Sequence, residues 1–562
     1  MPAAVADRSL SDRALELLRR AGNPFRNYFA RNPDDEVCAR YHVAELFARE
    51  RDQLHGVVDL YRYDPTTHSE VVPVLGNKGA GKTHLLHSIK HGCDGAWQLL
   101  VTPGVYQKDT EFLEYLLFQI IDTLLGGGKQ KGQRPLEFVG EEVVRRLLVS
   151  ALAALSPAER LDLFPAPGFG RWARKLGLGT TQAQERVQWL LDTLDAKRSA
   201  QRDPSVHRPS QLIQRLQEAS LEPEKAYEAV CRYVEKSAGH DTAGLMRRHV
   251  QQGFARAVLL GEEADLASFL TYGFAELDFR VRPSRQDLVA SLFKSLMEVF
   301  RGLAIPVVVA FDQLEDLLLA RRSDDSHRVA EAFFAGIVQA MHQIDGVCFL
   351  VFAERGLWNR FVPSLDGYIQ DRLANPVHVP QFGTIKTLRL EAPPPELVRR
   401  VVEARLRPAL EELPDLAELP PVFPFTDEQI ERVAKTEPTL RDMLQQFRHL
   451  FDHLVYGTGD DRNARLTEQP PAQPAPASRM PVHEAPPIVK SVIVVETPAN
   501  DQQPGGVAST TSPPHHFATP TNLSDLLDQE VRAARRNLDP DGALTGATRE
   551  LQSGLGAFLQ IG

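Results

Sequence analysis

Short apolar runs rich in β-branched residues alternate with longer segments of helical spacing along most of the chain. Val71–Leu75 reads as a strand, followed by a Gly-rich turn and a helix from Lys82. Trp97–Thr102 reads as a second strand, and Asp109–Leu125 (DTEFLEYLLFQIIDTLL) as a helix. Pro306–Phe311 and Val347–Phe352 are two further strands, and Lys386–Leu390 is a fifth. Strands separated by helices imply an α/β fold: a parallel sheet covered by helices on both faces.

The pattern changes between residues 126 and 285. Glu141–Ala154, Gln182–Leu194, Ser210–Glu218, Glu224–Glu235 and Thr242–Leu260 all place apolar residues at helical spacing, with turn signals such as Pro165–Phe169 between them. This predicts a helical insertion of roughly 160 residues, near the usual size of one domain. It divides the α/β core into a first half, preceded by N-terminal helices, over 1–125 and a second half over 286–392. Leu397–Leu406, Phe425–Val433 and Glu437–Arg448 then read as helices of a small terminal group over 393–456, the last with Pro438 at its N-terminus.

Proline use rises sharply beyond that point. Of 40 prolines, 12 fall in Asp461–Pro520 with many Ala, Gln, Ser and Thr, so 457–520 reads as a disordered linker. Ile488–Glu496 (IVKSVIVVE) interrupts it and could add as a strand to a partner's sheet edge. In the C-terminal segment 521–562, Asn522–Leu538 reads as an amphipathic helix, free to return to the body or to dock on a partner.

Composition changes this picture little. Hydrophobic residues make up 43% and charged residues 25%, as in soluble globular proteins, so a sizeable core is available. The formal charge, 64 − 74 = −10, argues against a histone-like basic coat but leaves room for a local basic groove. Lys129–Arg134, Arg247–His249 and Arg399–Arg400 could meet phosphates or form solvated faces. Cys38, Cys93, Cys231 and Cys348 match no zinc spacing or small disulfide framework. The apolar runs are far short of the ~20 residues that span a bilayer, and the N-terminus has no apolar h-region. A cytoplasmic protein with no membrane partner is expected.

The strongest chemical signal is Gly76-Asn77-Lys78-Gly79-Ala80-Gly81-Lys82-Thr83, which satisfies G-x-x-x-x-G-K-[ST] between a strand and a helix. Such a P-loop turns successive backbone N–H groups toward β- and γ-phosphates, and the following helix adds its positive end. Lys82 would supply a point charge, Thr83 Oγ1 a ligand for Mg2+, and His84 continues the nucleotide-binding segment. A second acid is needed at the end of a neighbouring strand, and Ile305-Pro-Val-Val-Val-Ala-Phe-Asp312 provides Asp312 as the partner metal ligand. Gln313 follows, able to orient a water but not to take its proton. Glu315 could take that proton if the chain turns it back toward the phosphates; otherwise it is a surface carboxylate of the next helix.

These segments resemble the Walker motifs of the AAA+ and STAND branch of P-loop ATPases. Gly81-Lys-Thr-His-Leu-Leu-His-Ser-Ile resembles the P-loop helix of bacterial replication initiators and helicase loaders, and Phe311-Asp-Gln-Leu-Glu-Asp-Leu is similar to the D-Q-F-E-E-L form of STAND ATPases. The motif order resembles origin-recognition-like AAA+ ATPases over about 23–125 and 286–456. The resemblance implies that 393–456 is a helical lid. It also implies three arginine roles: Arg355, or the adjacent Glu354, in the sensor-1 region in place of the usual Asn or Thr; Arg372 as an arginine finger offered to a neighbouring subunit; and Arg441 as the lid's sensor-2 residue. The implied function is an ATP-hydrolysing, oligomerising protein whose nucleotide state controls engagement of DNA or a protein. Many stand-alone bacterial relatives serve defence or mobile-element systems. The alternatives are a STAND-type switch acting on proteins only, and an ATP-binding scaffold with little turnover.

Overall fold

The computed structural model describes residues 10–28, 30, 33–64, 66–91, 97–106, 111–128, 134–164, 180–194, 211–239, 241–279, 283–319, 325–413 and 416–457. All of these belong to one unit, Met1–Pro471. The Pro-rich linker, the Ile488–Glu496 run, the helix expected over 522–538, the Pro165–Phe169 turn and most of Lys129–Arg134 lie outside the described residues.

Helices α1 (Leu10–Ala21), α2 (Glu36–Arg40) and α3 (Ala48–Tyr63) precede strand β1 (Glu70–Gly76), and α4 (Lys82–His91) leads to β2 (Leu99–Val101) and α5 (Phe112–Leu125). The insertion follows as α6 (Pro135–Ala154), α7 (Pro157–Leu163), α8 (Thr180–Leu194), α9 (Gln211–Glu218), α10 (Pro223–Ser237), α11 (Thr242–Leu259) and α12 (Glu263–Thr271). The core resumes with α13 (Arg285–Gly302), β3 (Val307–Phe311), α14 (Glu315–Leu319), α15 (Asp325–Gln343), β4 (Val347–Glu354), α16 (Arg355–Phe361) and α17 (Gly367–Leu373). A hairpin, β5 (Val377–Val379) with β6 (Gly383–Ile385), precedes β7 (Leu388–Leu390), and α18 (Pro395–Leu410), α19 (Asp427–Thr436) and α20 (Leu440–Phe451) end the described chain.

The five predicted strands form one parallel sheet in the order β2-β3-β4-β1-β7. The α/β reading therefore holds, with helices over both faces. Because all five strands run one way, their carboxyl ends open on one edge: Gly76 of β1 lies opposite Glu354 of β4, and Phe311 of β3 opposite Val351. Two strands are shorter than their apolar runs. Trp97 stacks on Phe138 at 4.6 Å and the Gln98 side chain donates to the Ile89 carbonyl at 3.0 Å, so side chains rather than the ladder hold the start of the second run. Lys386 and Thr387 connect β6 to β7. The β5–β6 hairpin was not predicted, being only three residues per strand.

Strand residues sort by parity into two cores. Val71, Leu75, Val307, Val309, Phe311, Phe349 and Val351 face a core that runs through α5, α13, α15 and the described helices of the insertion. Val72, Val74, Val308, Ala310, Cys348, Leu350 and Phe352 face a second core shared by α1, α3, α4, the hairpin and α18–α20. The N-terminal segment is thus packed with the lid-like helices. Arg19 Nε donates to the Val455 carbonyl at 2.7 Å, and Asn23 Nδ2 donates to the Arg448 carbonyl at 3.0 Å and to Asp452 Oδ1 at 2.9 Å. Helix α20 begins after Pro438 rather than on it. Thr439 is its N-cap, accepting from the Asp442 N–H at 3.3 Å, a role that proline, lacking a side-chain acceptor, cannot take.

The described basic stretches meet acids of the same chain. Arg247 pairs with Glu298 at 2.6 Å, Arg399 with Asp427 at 3.1 Å, and Arg400 with Glu45. No described helix is long and apolar enough to cross a membrane.

A continuous first core carries a stability consequence. Phe254 on α11 is fully buried in it, so Phe254→Ala should cost about 3–5 kcal/mol. Amide exchange in β3 and β4 should accelerate together with exchange in α11. Loosening confined to the insertion would show that the insertion holds its own separate core.

Candidate functional site

The loop between β1 and α4 turns on two glycines in the left-handed region, Gly79 at φ +88 and Gly81 at φ +103. Its inner N–H to C=O bond runs from Ala80 to Asn77 at 3.0 Å. The Lys82 side chain is only 7% exposed and folds back over the loop. Its Nζ donates to the Gly76 and Asn77 carbonyls at 3.3 and 3.4 Å and lies 3.6 Å from Glu315 Oε1. A loop that wraps a cation in carbonyls and presents it at the head of a helix can bind an anion of high charge.

The second strand end meets this loop. Thr83 Oγ1 donates to Asp312 Oδ2 at 2.8 Å, across 229 residues of sequence. The other oxygen, Oδ1, accepts from the Gln313 N–H at 2.9 Å. Burial pushes the Asp312 carboxyl up, and the Thr83 and Gln313 hydrogen bonds and the Lys82 charge work against that rise. Gln313 itself has φ +61, a conformation that costs a non-glycine residue free energy. The reversed backbone there starts α14 at Glu315 and lets its carboxylate reach Lys82, while Leu314 and Leu318 are buried in the first core.

A cleft of about 400 Å³ opens over the loop. Lys78, Gly79, Gly81, Lys82, Thr83, His84, Asp312, Gln313 and Glu315 form its floor. One wall comes from the N-terminal segment, including Tyr28, Cys38 and Tyr41, and another from α18 and α20, including Arg405 and Arg441. Helix α20 sits directly on the loop, where the Arg441 N–H donates to the Gly79 carbonyl at 3.2 Å.

Most of the expected residues therefore converge. Gly76, Asn77 and Ala80 stand in the loop behind the cleft surface, the first two holding Lys82 through their carbonyls. Two arginines stay outside the cleft walls. Arg355 opens α16 and pairs with Glu391 at 3.3 Å. Arg372, near the end of α17, lies 5.6 Å from the Tyr368 ring centre, with Tyr368 exposed. The N-terminal wall and Arg405 were not foreseen. Arg405 did leave a signal: it falls on the apolar stripe Val398, Val401, Val402, Leu406 of α18, where a charge is out of place unless it faces something polar.

His84 carries its own constraint. Burial holds its imidazole down at about 4, with the neighbouring His42, His87 and Arg405 adding to the effect, and its Nε2 is buried with no hydrogen-bond partner among the described residues. His42, His84 and His87 lie with ring centres 5.4 to 6.3 Å apart. Among the described residues no group of three His, Cys, Asp or Glu is placed to hold a metal ion by itself. Compared with protein-family models, with curated proteins and with solved structures, the chain matches none.

Two outcomes follow from this geometry. A Cβ at Gly79 would lie 2.5 Å from Arg441 Cβ on a backbone that side chains avoid, so Gly79→Ala should lift α20 from the loop at a cost of about 1–3 kcal/mol. Amide exchange at Arg441 should rise well above wild type, and unchanged protection would contradict the contact. For His84, the unfolded chain takes up a proton near 6.5 and the folded one only near 4, so the unfolded state binds more protons between those values. Stability should fall as pH drops from 6.5 toward 4. In melting curves at pH 7 and pH 5, His84→Gln should show a smaller drop than wild type, with a residue of slope from His42 and His87, which burial shifts the same way.

Proposed function

We propose that this chain is an AAA+-like P-loop ATPase, binding ATP with magnesium in the cleft and hydrolysing it slowly, with nucleotide state controlling assembly and partner engagement. The observation that carries the proposal is the Thr83–Asp312 contact at 2.8 Å beside the buried Lys82. A motif-bearing loop and a distant strand-end carboxylate meet where a triphosphate needs a cation, a metal ligand pair and a ring of amides.

Magnesium fits the donor set. Thr83 and Asp312 supply two hard oxygens and buried negative charge, and Mg2+ takes its remaining ligands from phosphate and water. Held there, the ion would neutralise phosphate charge. The rest falls to the chain's own residues. Loop N–H groups and Lys82 bind the phosphates. Glu315, already within 3.6 Å of Lys82, takes the proton of the attacking water, and Gln313 orients that water. Arg441, resting on the phosphate loop, carries the phosphate state into α20. Arg372, outside its own cleft, is available to a neighbouring copy, so turnover depends on assembly. Arg355 stands one residue beyond the strand end opposite Gly76 and reaches the site only by releasing Glu391.

Phosphate release from ATP and magnesium tests the reading. Wild-type protein should turn over and Lys82→Ala should not. Glu315→Gln should lower kcat by roughly tenfold or more while still binding ATP. A loss in Gln313→Ala with Glu315→Gln unaffected would move the catalytic role to Gln313. No nucleotide binding by wild type would overturn the proposal.

A further inference from the structure

Away from the phosphate loop the cleft is walled by Val37, Tyr41 and Leu46 of the N-terminal segment and by Val401, Arg405 and Leu444 of α18 and α20. Its acids, Asp312 and Glu315, both belong to the phosphate end. Arg405 is the cation of the opposite wall and is only 5% exposed. A guanidinium this deep is costly unless its donors are used. Nη1 is used, donating to the Pro24 and Asn27 carbonyls at 2.9 and 2.8 Å. The guanidinium also lies 4.6 Å from the Tyr41 ring centre and 6.0 Å from that of Phe25. Among the described residues Arg405 makes no ion pair, and its Nε is buried without a partner. Burial holds its pKa down at about 10, which leaves it charged at neutral pH.

A donor-only group set among apolar side chains is matched by a flat ring that carries acceptors. Arginine is such a donor, and a ring nitrogen of adenine is an acceptor that one of its N–H groups can meet. We propose that Arg405 is a base-recognising residue, donating to a ring-nitrogen acceptor of the nucleotide's base. This rests on the nucleotide reading above. It gives the two lid arginines different tasks: Arg441 sits at the phosphate loop, whereas Arg405 responds to the base whatever the number of phosphates. Because Nη1 is tied to Pro24 and Asn27, a base on the other side of the fork also fixes the N-terminal segment against α18.

The test is calorimetric titration of the full chain in magnesium with ATP, ADP, GTP, CTP and inorganic tripolyphosphate. Wild type should discriminate among the three nucleoside triphosphates and bind tripolyphosphate more weakly than ATP. Arg405→Lys and Arg405→Met should lower ATP and ADP affinity by a common factor of roughly ten or more, narrow the differences among ATP, GTP and CTP, and leave tripolyphosphate unchanged. Unchanged ATP affinity, or an equal loss for tripolyphosphate, would overturn the proposal. Wild-type protein that binds tripolyphosphate as tightly as ATP would overturn it with no variant needed. If wild type binds ATP but the variants match it, the base-reading role alone fails. If wild type binds none of the five, the nucleotide reading fails with it.

Discussion

One hydroxyl-to-carboxylate contact, Thr83 Oγ1 to Asp312 Oδ2, ties the first turn of α4 to the end of β3. It is possible only because the sheet is parallel and β4 alone separates β1 from β3, so both strand ends emerge on the same edge. A carboxylate buried there would be expensive alone. Thr83, the Gln313 amide and the Lys82 charge each reduce that cost, and each belongs to an element whose position the sheet dictates. Burial still raises the carboxyl's pKa, so the site keeps a demand for positive charge.

The sheet divides the molecule's interior into two, and the cleft stands where the halves meet. The loop helix α4, the N-terminal helices and α18–α20 share one core. The insertion shares the other with the segment that carries Leu314 and Leu318 around Glu315. The loop after β1 and helices α18–α20 are therefore positioned by one set of packing contacts, and Glu315 by another. In the proposed function, ligand binding has to satisfy both at once.

Much of this arrangement was legible in the chain. Runs such as Val307–Phe311 are apolar at every position because both faces of the strand are covered, and a run of that kind reads as a parallel strand without further help. Gly79 and Gly81 were legible because their backbone conformations exclude other residues. The β5–β6 hairpin was not, since three-residue strands leave no periodic signal. The N-terminal wall of the cleft was not either. Its contribution comes from Tyr28 and from the five-residue helix α2 around Cys38, which is too short to leave a periodic signal. Arg441 was anticipated through the resemblance of its helix, but its contact with Gly79 could not be, because it depends on how far α20 descends onto the loop. Arg355 shows a different limit. Its position at a strand end was read correctly, yet a local acid, Glu391, takes up its guanidinium.

The strained backbone at Gln313 links these points. A non-glycine residue at φ +61 persists only where its surroundings over-determine it. Here one side is held by the Asp312 Oδ1 bond to the Gln313 amide and the other by Leu314 and Leu318 in the first core. The described helices of the insertion pack into that same core, which reaches the turn through Leu314 and Leu318. In the proposed function, binding of the triphosphate depends on the loop and its hydrolysis on the turn that aims Glu315, and the two are anchored in different cores.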